Sequence, residues 1–214
     1  PIDDRLTDEE VLMCPDIMST GFAGAENGGI KIGDTVAVFA QGPIGLCATA
    51  GAKLLGATRI ITVDAVAARM SMSRQLGADE VINFRETDPV EAIMALTDGR
   101  GVDVAIEALG TQATFAAGLR VVRPGGTLSS LGVYSGDLTI PLDAYAAGLG
   151  DKTIKSALCP GGKERMRRMM SVIASGRVDL KPLVTHRYSI DQIEEAYDLF
   201  ANQRDGVLKV AISV

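Results

Sequence analysis

The segment 35–64, TVAVFAQGPIGLCATAGAKLLGATRIITVD, constrains the fold of this chain more than any other. The apolar run from Val36 to Phe39 reads as a buried strand, and Gly42, Pro43, Ile44 and Gly45 as a tight turn. An Ala/Leu-rich helix over Pro43–Leu55, a second strand over 59–63 and the acid Asp64 follow. Strand, Gly turn, helix, strand and acid, in that order, make a dinucleotide-binding βαβ unit. Gly42 lets backbone approach a pyrophosphate where a Cβ would collide with it. Gly45 lets the helix pack closely on the strand. The start of the helix offers unpaired N–H groups and a positive dipole end to the phosphates. Asp64, nineteen residues after Gly45, is placed to accept hydrogen bonds from the adenosine ribose. The row A-Q-G-P-I-G departs from the usual fingerprint at Ala40, where a first Gly is expected. A bare Gly-x-x-Gly is a weak signal, so the reading rests on the strand, helix and acid around it. A methyltransferase, which also combines a Gly turn with a ribose-binding acid, is the main structural rival.

The alternation continues downstream. Helices are expected over 67–76, 90–96 and 112–119, and strands over Glu80–Asn83, 102–108, 126–131 and 153–158. Strands and helices alternating at this length predict an α/β, doubly wound Rossmann fold with a six-stranded parallel sheet and right-handed crossovers. Apolar residues make up 47% of the chain and charged residues 22%, which suits a sheet buried on both faces. Upstream, Thr7 and Glu10 form a capping box for a short helix. Pro15 interrupts it, helix resumes over 16–26, and Gly28-Gly29 ends it.

After residue 160 the pattern changes. A helix over 163–175 carries Met166, Met169, Met170 and Ile173 on one face, and the basic run from Lys163 to Arg168 reads as its wet face. A strand over 183–188, a capping box at Ser189 and Gln192, a helix to Phe200 and a last strand over 207–214 complete the chain. Two helices and two strands are too little for an independent core, so this tail must pack on something else.

Several motifs, in this order and spacing, resemble the zinc-dependent medium-chain alcohol dehydrogenases. They are M-S-T-G-F-A-G-A from Met18, G-P-I-G-L from Gly42, G-A-D-E-V-I-N from Gly77, G-V-D-V-A-I-E from Gly101, R-P-G-G from Arg123 and L-V-T-H-R-Y from Leu183. L-C-P-G-G from Leu158 is similar to the bacterial secondary-alcohol branch. The resemblance implies three parts: 1–19 as the end of a GroES-like catalytic domain, 20–160 as the dinucleotide-binding domain, and 161–214 as a segment returning to the catalytic domain. It also implies that a preceding catalytic half is missing. Pro1 is not a natural start, so the chain reads as a fragment or processed piece.

The resemblance also assigns roles. Asp16 falls where the family places a zinc ligand. Read by residue type alone, an Asp after Pro is an N-cap. Thr20 and Ile44 would pack against the nicotinamide, and backbone at Ala108–109 and 131–133 (Ala108, Leu109, Leu131, Val133) would line its carboxamide side. Ordinary strand-end packing fits these residues equally well. Arg69 matches a position near the adenosine or could pair with Asp64. Lys209 matches a basic residue reaching the pyrophosphate. His186 has no direct role, and Cys14 is a packed thiol. Cys47 is expected on the first crossover helix facing the sheet, and Cys159 on a loop.

Asp64 bears on the cofactor. An adenosine 2′-phosphate beside it would cost roughly 3 kcal/mol at about 5 Å and an effective dielectric of about 20. No basic residue stands over 65–68 to compensate. NADP-using relatives carry a small residue there with a basic one shortly after, so NAD is expected. The implied activity is hydride transfer between NAD and a small primary or secondary alcohol, with ketone or aldehyde as product and zinc as a second cofactor. A zinc-free quinone or enoyl reductase and a non-catalytic nucleotide-binding remnant are the alternatives. A short-chain dehydrogenase is disfavoured, because no Tyr-x-x-x-Lys occurs.

The net charge of −6 and the lack of a basic block beyond 165–168 argue against nucleic acid as a partner. No apolar run is long enough for a membrane span. Three cysteines without C-x-x-C fit a reduced, cytoplasmic setting. The stretch 137–149 resembles family dimer segments, so a homodimer or homotetramer is expected.

Overall fold

The computed structural model describes residues 4–214. At its centre lie β1 (Thr35–Phe39), β2 (Arg59–Asp64), β3 (Glu80–Asn83), β4 (Val102–Glu107), β5 (Val122–Ser130) and β6 (Thr153–Ser156). They form one sheet in the order β3-β2-β1-β4-β5-β6, every neighbouring pair parallel. This is the expected doubly wound α/β fold. The strand order reverses between β1 and β4, and in such sheets the crevice for a ligand opens at the carboxyl ends of those two strands.

β1 shows why both faces are covered. Val36 and Val38 pack on one side with Ala48 and Ala52, while Ala37 and Phe39 pack on the other with Ile93, Phe115 and Leu119. The first side is covered by α2 (Ser19–Gly28) and α3 (Pro43–Leu55). The second is covered by α5 (Pro89–Leu96) and α6 (Gln112–Val121). α4 (Ala67–Gln75) follows β2.

Ahead of α2 comes the short helix α1 (Asp8–Val11), opened by the expected Thr7–Glu10 capping box. The expected plain helix from Asp16 is replaced by a π-helical turn over Cys14–Met18, in which the Met18 amide donates to the Met13 carbonyl at 2.8 Å. Pro15 has no N–H to lose at the start of that wide turn, so the chain runs through the proline instead of breaking there. The turn buries Cys14, Ile17 and Met18 and leaves Asp16 exposed.

The tail consists of α7 (Lys163–Ala174), β7 (Val184–Ser189), α8 (Ile193–Ala201) and β8 (Lys209–Ser213). β7 and β8 pair parallel as a separate two-stranded sheet. As expected, this tail does not build a core alone. Met169, Ile173, Leu180, Leu183 and Leu208 share one cluster with Met13, Cys14, Met18, Phe22 and Leu46.

Two further expectations are corrected. Cys47 faces away from the sheet: it lies in that tail-side cluster, against the π turn and α2. A Cβ on Gly21 would lie 2.6 Å from the Cys47 Cβ, so the two helices are in direct contact there. Arg165 does not belong to a wet face. Its side chain is only 12% exposed, and it donates to the Ser19 hydroxyl, the Ser19 carbonyl and the Glu26 carboxylate. The arginine binds α7 to the start of α2. Its neighbours Arg167 and Arg168 are exposed and pair with Glu164.

Candidate functional site

The crevice at the switch point begins with the turn after β1. Ala40 has φ 69°, the left-handed region where a Cβ is strained and glycine is normal. The fingerprint mismatch at this position is therefore a conformational one. Gly45 has no alternative: a Cβ there would lie 1.9 Å from the Ala40 carbonyl oxygen. Gly42 is different, because nothing lies within 4 Å of where its Cβ would point. The space beside it is open, as a backbone that must approach a ligand closely requires. α3 starts here with Pro43 in its first turn and no side chain capping it. Its amides are left to a ligand or to water.

Asp64 closes the next side. It is 4% exposed. One carboxylate oxygen accepts from the Gln41 amide at 2.7 Å, and the other accepts from the Ala65 and Val66 amides at 2.7 and 2.9 Å. A carboxylate has about four acceptor sites, so about one remains for a ribose hydroxyl. The acid thus also ties the end of β2 to the Gly turn. No Asp64–Arg69 ion pair forms among the described residues. Arg69 sits half-buried on α4, and its Nε is buried without a partner. A buried donor left unpaired suits an acceptor brought by a ligand.

The ends of β4 and β5 form the opposite side. Ala108 is bonded through its amide to the Phe39 carbonyl. Leu109 and Val133 are 55% and 76% exposed. Leu131 is buried, and its side chain lies against Gly24 of α2, so only its backbone can face the crevice. The loops after the two strands touch: a Cβ on Gly110 would lie 2.6 Å from the Val133 carbonyl oxygen. The residue organising them is Glu107, which sequence reasoning did not single out. It is fully buried and accepts from the Leu109 and Gly110 amides, the Thr114 hydroxyl and the Tyr134 hydroxyl. Burial and the neighbouring carboxylate outweigh the Ser130 hydrogen bond and push the Tyr134 phenol well above its usual value. The available signal was an acid closing the otherwise apolar run V-A-I-E at the carboxyl end of G-V-D-V-A-I-E.

Asp16 and Thr20 meet: the Thr20 hydroxyl donates to Asp16 Oδ1 at 3.1 Å. Thr20 is buried, and its neighbour Gly21 packs onto the Ile44 carbonyl, which places Thr20 beside the start of α3. The Cys159 thiol donates to the Pro15 carbonyl, and the Ser19 hydroxyl donates to that of Pro160. Asp16 therefore projects from a braced turn. Among the described residues, no group of three or more His, Cys, Asp or Glu could hold a metal. Asp16 supplies a single donor. Cys14 is packed into the tail-side cluster, and burial pushes its thiol up to about 11.

Lys209 lies further off. It is on β8 and lines a groove with Ile193, Tyr197 and Phe200 of α8. The loop before it comes closer, since a Cβ on Gly206 would lie 3.4 Å from Ala68. Among the described residues, the His186 side chain bonds its neighbour Thr185 through Nδ1.

A family model described as "Zinc-binding dehydrogenase" matches residues 43–175. The chain is 72% identical over 212 residues to an alcohol dehydrogenase of Cupriavidus necator, covering 99% of this chain and 58% of that protein. It belongs to the zinc-dependent medium-chain alcohol dehydrogenase family. An NADP-dependent isopropanol dehydrogenase of Thermoanaerobacter brockii is 41% identical, covering 95% of this chain and 59% of the relative. The alcohol dehydrogenase TADH from Thermus sp. ATN1 superposes with a TM-score of 0.89 at 31% identity, over 100% of this chain and 60% of that one. The chain thus spans 58% of the length of the first relatives it matches.

Proposed function

We propose that the chain is the NAD-binding portion of an alcohol dehydrogenase acting on small primary or secondary alcohols and the matching aldehydes or ketones. The open space beside Gly42, flanked by the buried Asp64, carries this reading. The Gly42 backbone and the first turn of α3 would hold the pyrophosphate, the remaining Asp64 acceptor a ribose hydroxyl, and Arg69 Nε an acceptor on the adenosine side. Thr20, Ile44 and the backbone at 108–109 and 131–133 would orient the nicotinamide, which supplies the hydride acceptor when bound. Lys209 would reach the pyrophosphate by a shift of the tail. Asp64 favours NAD over NADP, because a 2′-phosphate would face its charge. The T. brockii relative is named for NADP, so this preference separates the two proteins.

Asp16 would be one zinc ligand, the others coming from the part of the relatives' length that this chain does not span. The chain alone would then bind NAD without oxidising alcohol. Residues 1–19 and 161–214 would belong to the catalytic domain and 20–160 to the cofactor domain. Leu138, Ile140, Leu142 and Leu149 are exposed in the segment that leads into the edge strand β6. They would be covered in a homodimer or homotetramer. Three unpaired thiols fit a reducing compartment, the cytoplasm.

The test is oxidation of ethanol and 2-propanol by the whole protein with NAD and with NADP, alongside metal analysis. Zinc-dependent turnover at least tenfold better with NAD supports the reading. Equal turnover with NADP removes the cofactor assignment. Turnover without metal favours a zinc-free reductase, and no turnover favours a binding remnant.

A further inference from the structure

Gln41 is fully buried, although it is one residue from the open crevice. A buried amide is costly unless its groups are paired. Here they are paired almost entirely to the turn. Nε2 donates to the Ala40 carbonyl at 3.1 Å and faces the Val38 carbonyl at 3.4 Å. Oε1 accepts from the Thr49 hydroxyl at 3.0 Å, and Thr49, also fully buried, contacts the Gly45 carbonyl at 3.0 Å. The Gln41 amide donates to Asp64. One side chain therefore links the end of β1, the strained Ala40 peptide and the first turns of α3.

The Ala40 carbonyl is the atom that decides the shape of the turn. Its left-handed φ aims it into α3, where only the missing Cβ of Gly45 leaves room. A glycine at residue 40 would adopt this conformation without strain, whereas alanine must be held in it.

We infer that Gln41 is a positioning residue for the dinucleotide pyrophosphate. By bonding the Ala40 carbonyl it keeps the turn, and with it the amides of Gly42 and the start of α3, set for the phosphates before ligand arrives. The Gln41–Thr49 pair replaces the conformational freedom that a glycine at residue 40 would supply. This rests on the NAD reading above.

The test uses the chain with Gln41→Leu, Ala40→Gly, the double variant and Thr49→Val, titrated by calorimetry with ADP and with adenosine. Gln41→Leu weakens ADP by about tenfold and leaves adenosine within about twofold, because the pyrophosphate meets the turn amides directly, whereas Asp64 is also held by the Ala65 and Val66 amides, which the change does not touch. Adding Ala40→Gly returns ADP to within about threefold of the parent. Thr49→Val, a near-isosteric change, weakens ADP by about threefold and covers the case in which Gln41→Leu does not fold. Equal losses for ADP and adenosine, an unchanged ADP affinity, or no recovery with Ala40→Gly overturns the inference. If the parent chain binds neither ligand, the NAD reading itself fails. If the parent binds and the variants match it, only the role of Gln41 fails.

Discussion

At the proposed adenosine end of the crevice, Asp64, Gln41 and Thr49 are buried and bonded to one another or to the turn. At the other end, Asp16, Leu109 and Val133 project outward with little packed over them. Both ends rest on buried acids, Asp64 on one side and Glu107 on the other. The difference lies in what stands above the acids. Over Asp64 the chain supplies its own turn and helix start, so the subsite is pre-organised. Over Glu107 it supplies two touching loops and an open surface. On the proposed NAD reading, one end would bind by itself and the other would be completed by further chain.

The most damaging change should be Gly45→Ala. Its Cβ would meet the Ala40 carbonyl at 1.9 Å, and helix and strand cannot separate without losing their packing. A loss of about 3 kcal/mol in urea denaturation, with NAD binding abolished, is expected. Near-parental stability would mean that the turn is looser than the structure has it.

Glu107→Gln probes the other end. It puts an amide NH2 where four donors converge. A cost of about 2 kcal/mol is expected. NAD should bind several-fold more weakly while ADP-ribose is unchanged, as calorimetry would read. If ADP-ribose weakens equally, the two ends are not independent.

Asp103 provides a control at the far end of the sheet. Burial raises its pKa, but hydrogen bonds from Arg100, the Thr35 amide and Arg123 outweigh this and hold it at about 2. A carboxyl held below its unfolded value stabilises above the unfolded pKa, and that stability is lost as pH falls through the folded one. Stability should therefore decline between about pH 4 and pH 2. Asp103→Asn should flatten this decline without altering NAD binding at pH 7. The smallest effect is expected for Ala40→Gly alone, a gain of about 0.5–1 kcal/mol in denaturation experiments from relief of the left-handed alanine.

The alternation of strands and helices and the Gly turn were legible because they follow from local pattern. Val36 to Phe39 alternates between two apolar faces, and Gly42 and Gly45 mark backbone that a Cβ would block. Asp64 was legible as an acid at a strand end. Its bonds to Gln41, Ala65 and Val66 were not, because they depend on where the turn folds back. Gln41 and Glu107 went unremarked because a polar residue in sequence does not announce its burial. Arg165 misled for the same reason: a basic run on a helix looks solvated until another helix covers one of its members. The π turn at Cys14–Met18 was hidden by Pro15, which locally signals a break.

The most direct test is calorimetric titration of the chain with NAD, ADP-ribose and NADP under one set of conditions. If the adenosine end is complete and the nicotinamide end is open, ADP-ribose binds within about threefold of NAD, and NADP binds at least about tenfold more weakly. ADP-ribose binding far weaker than NAD, or NADP binding as well as NAD, would contradict the account.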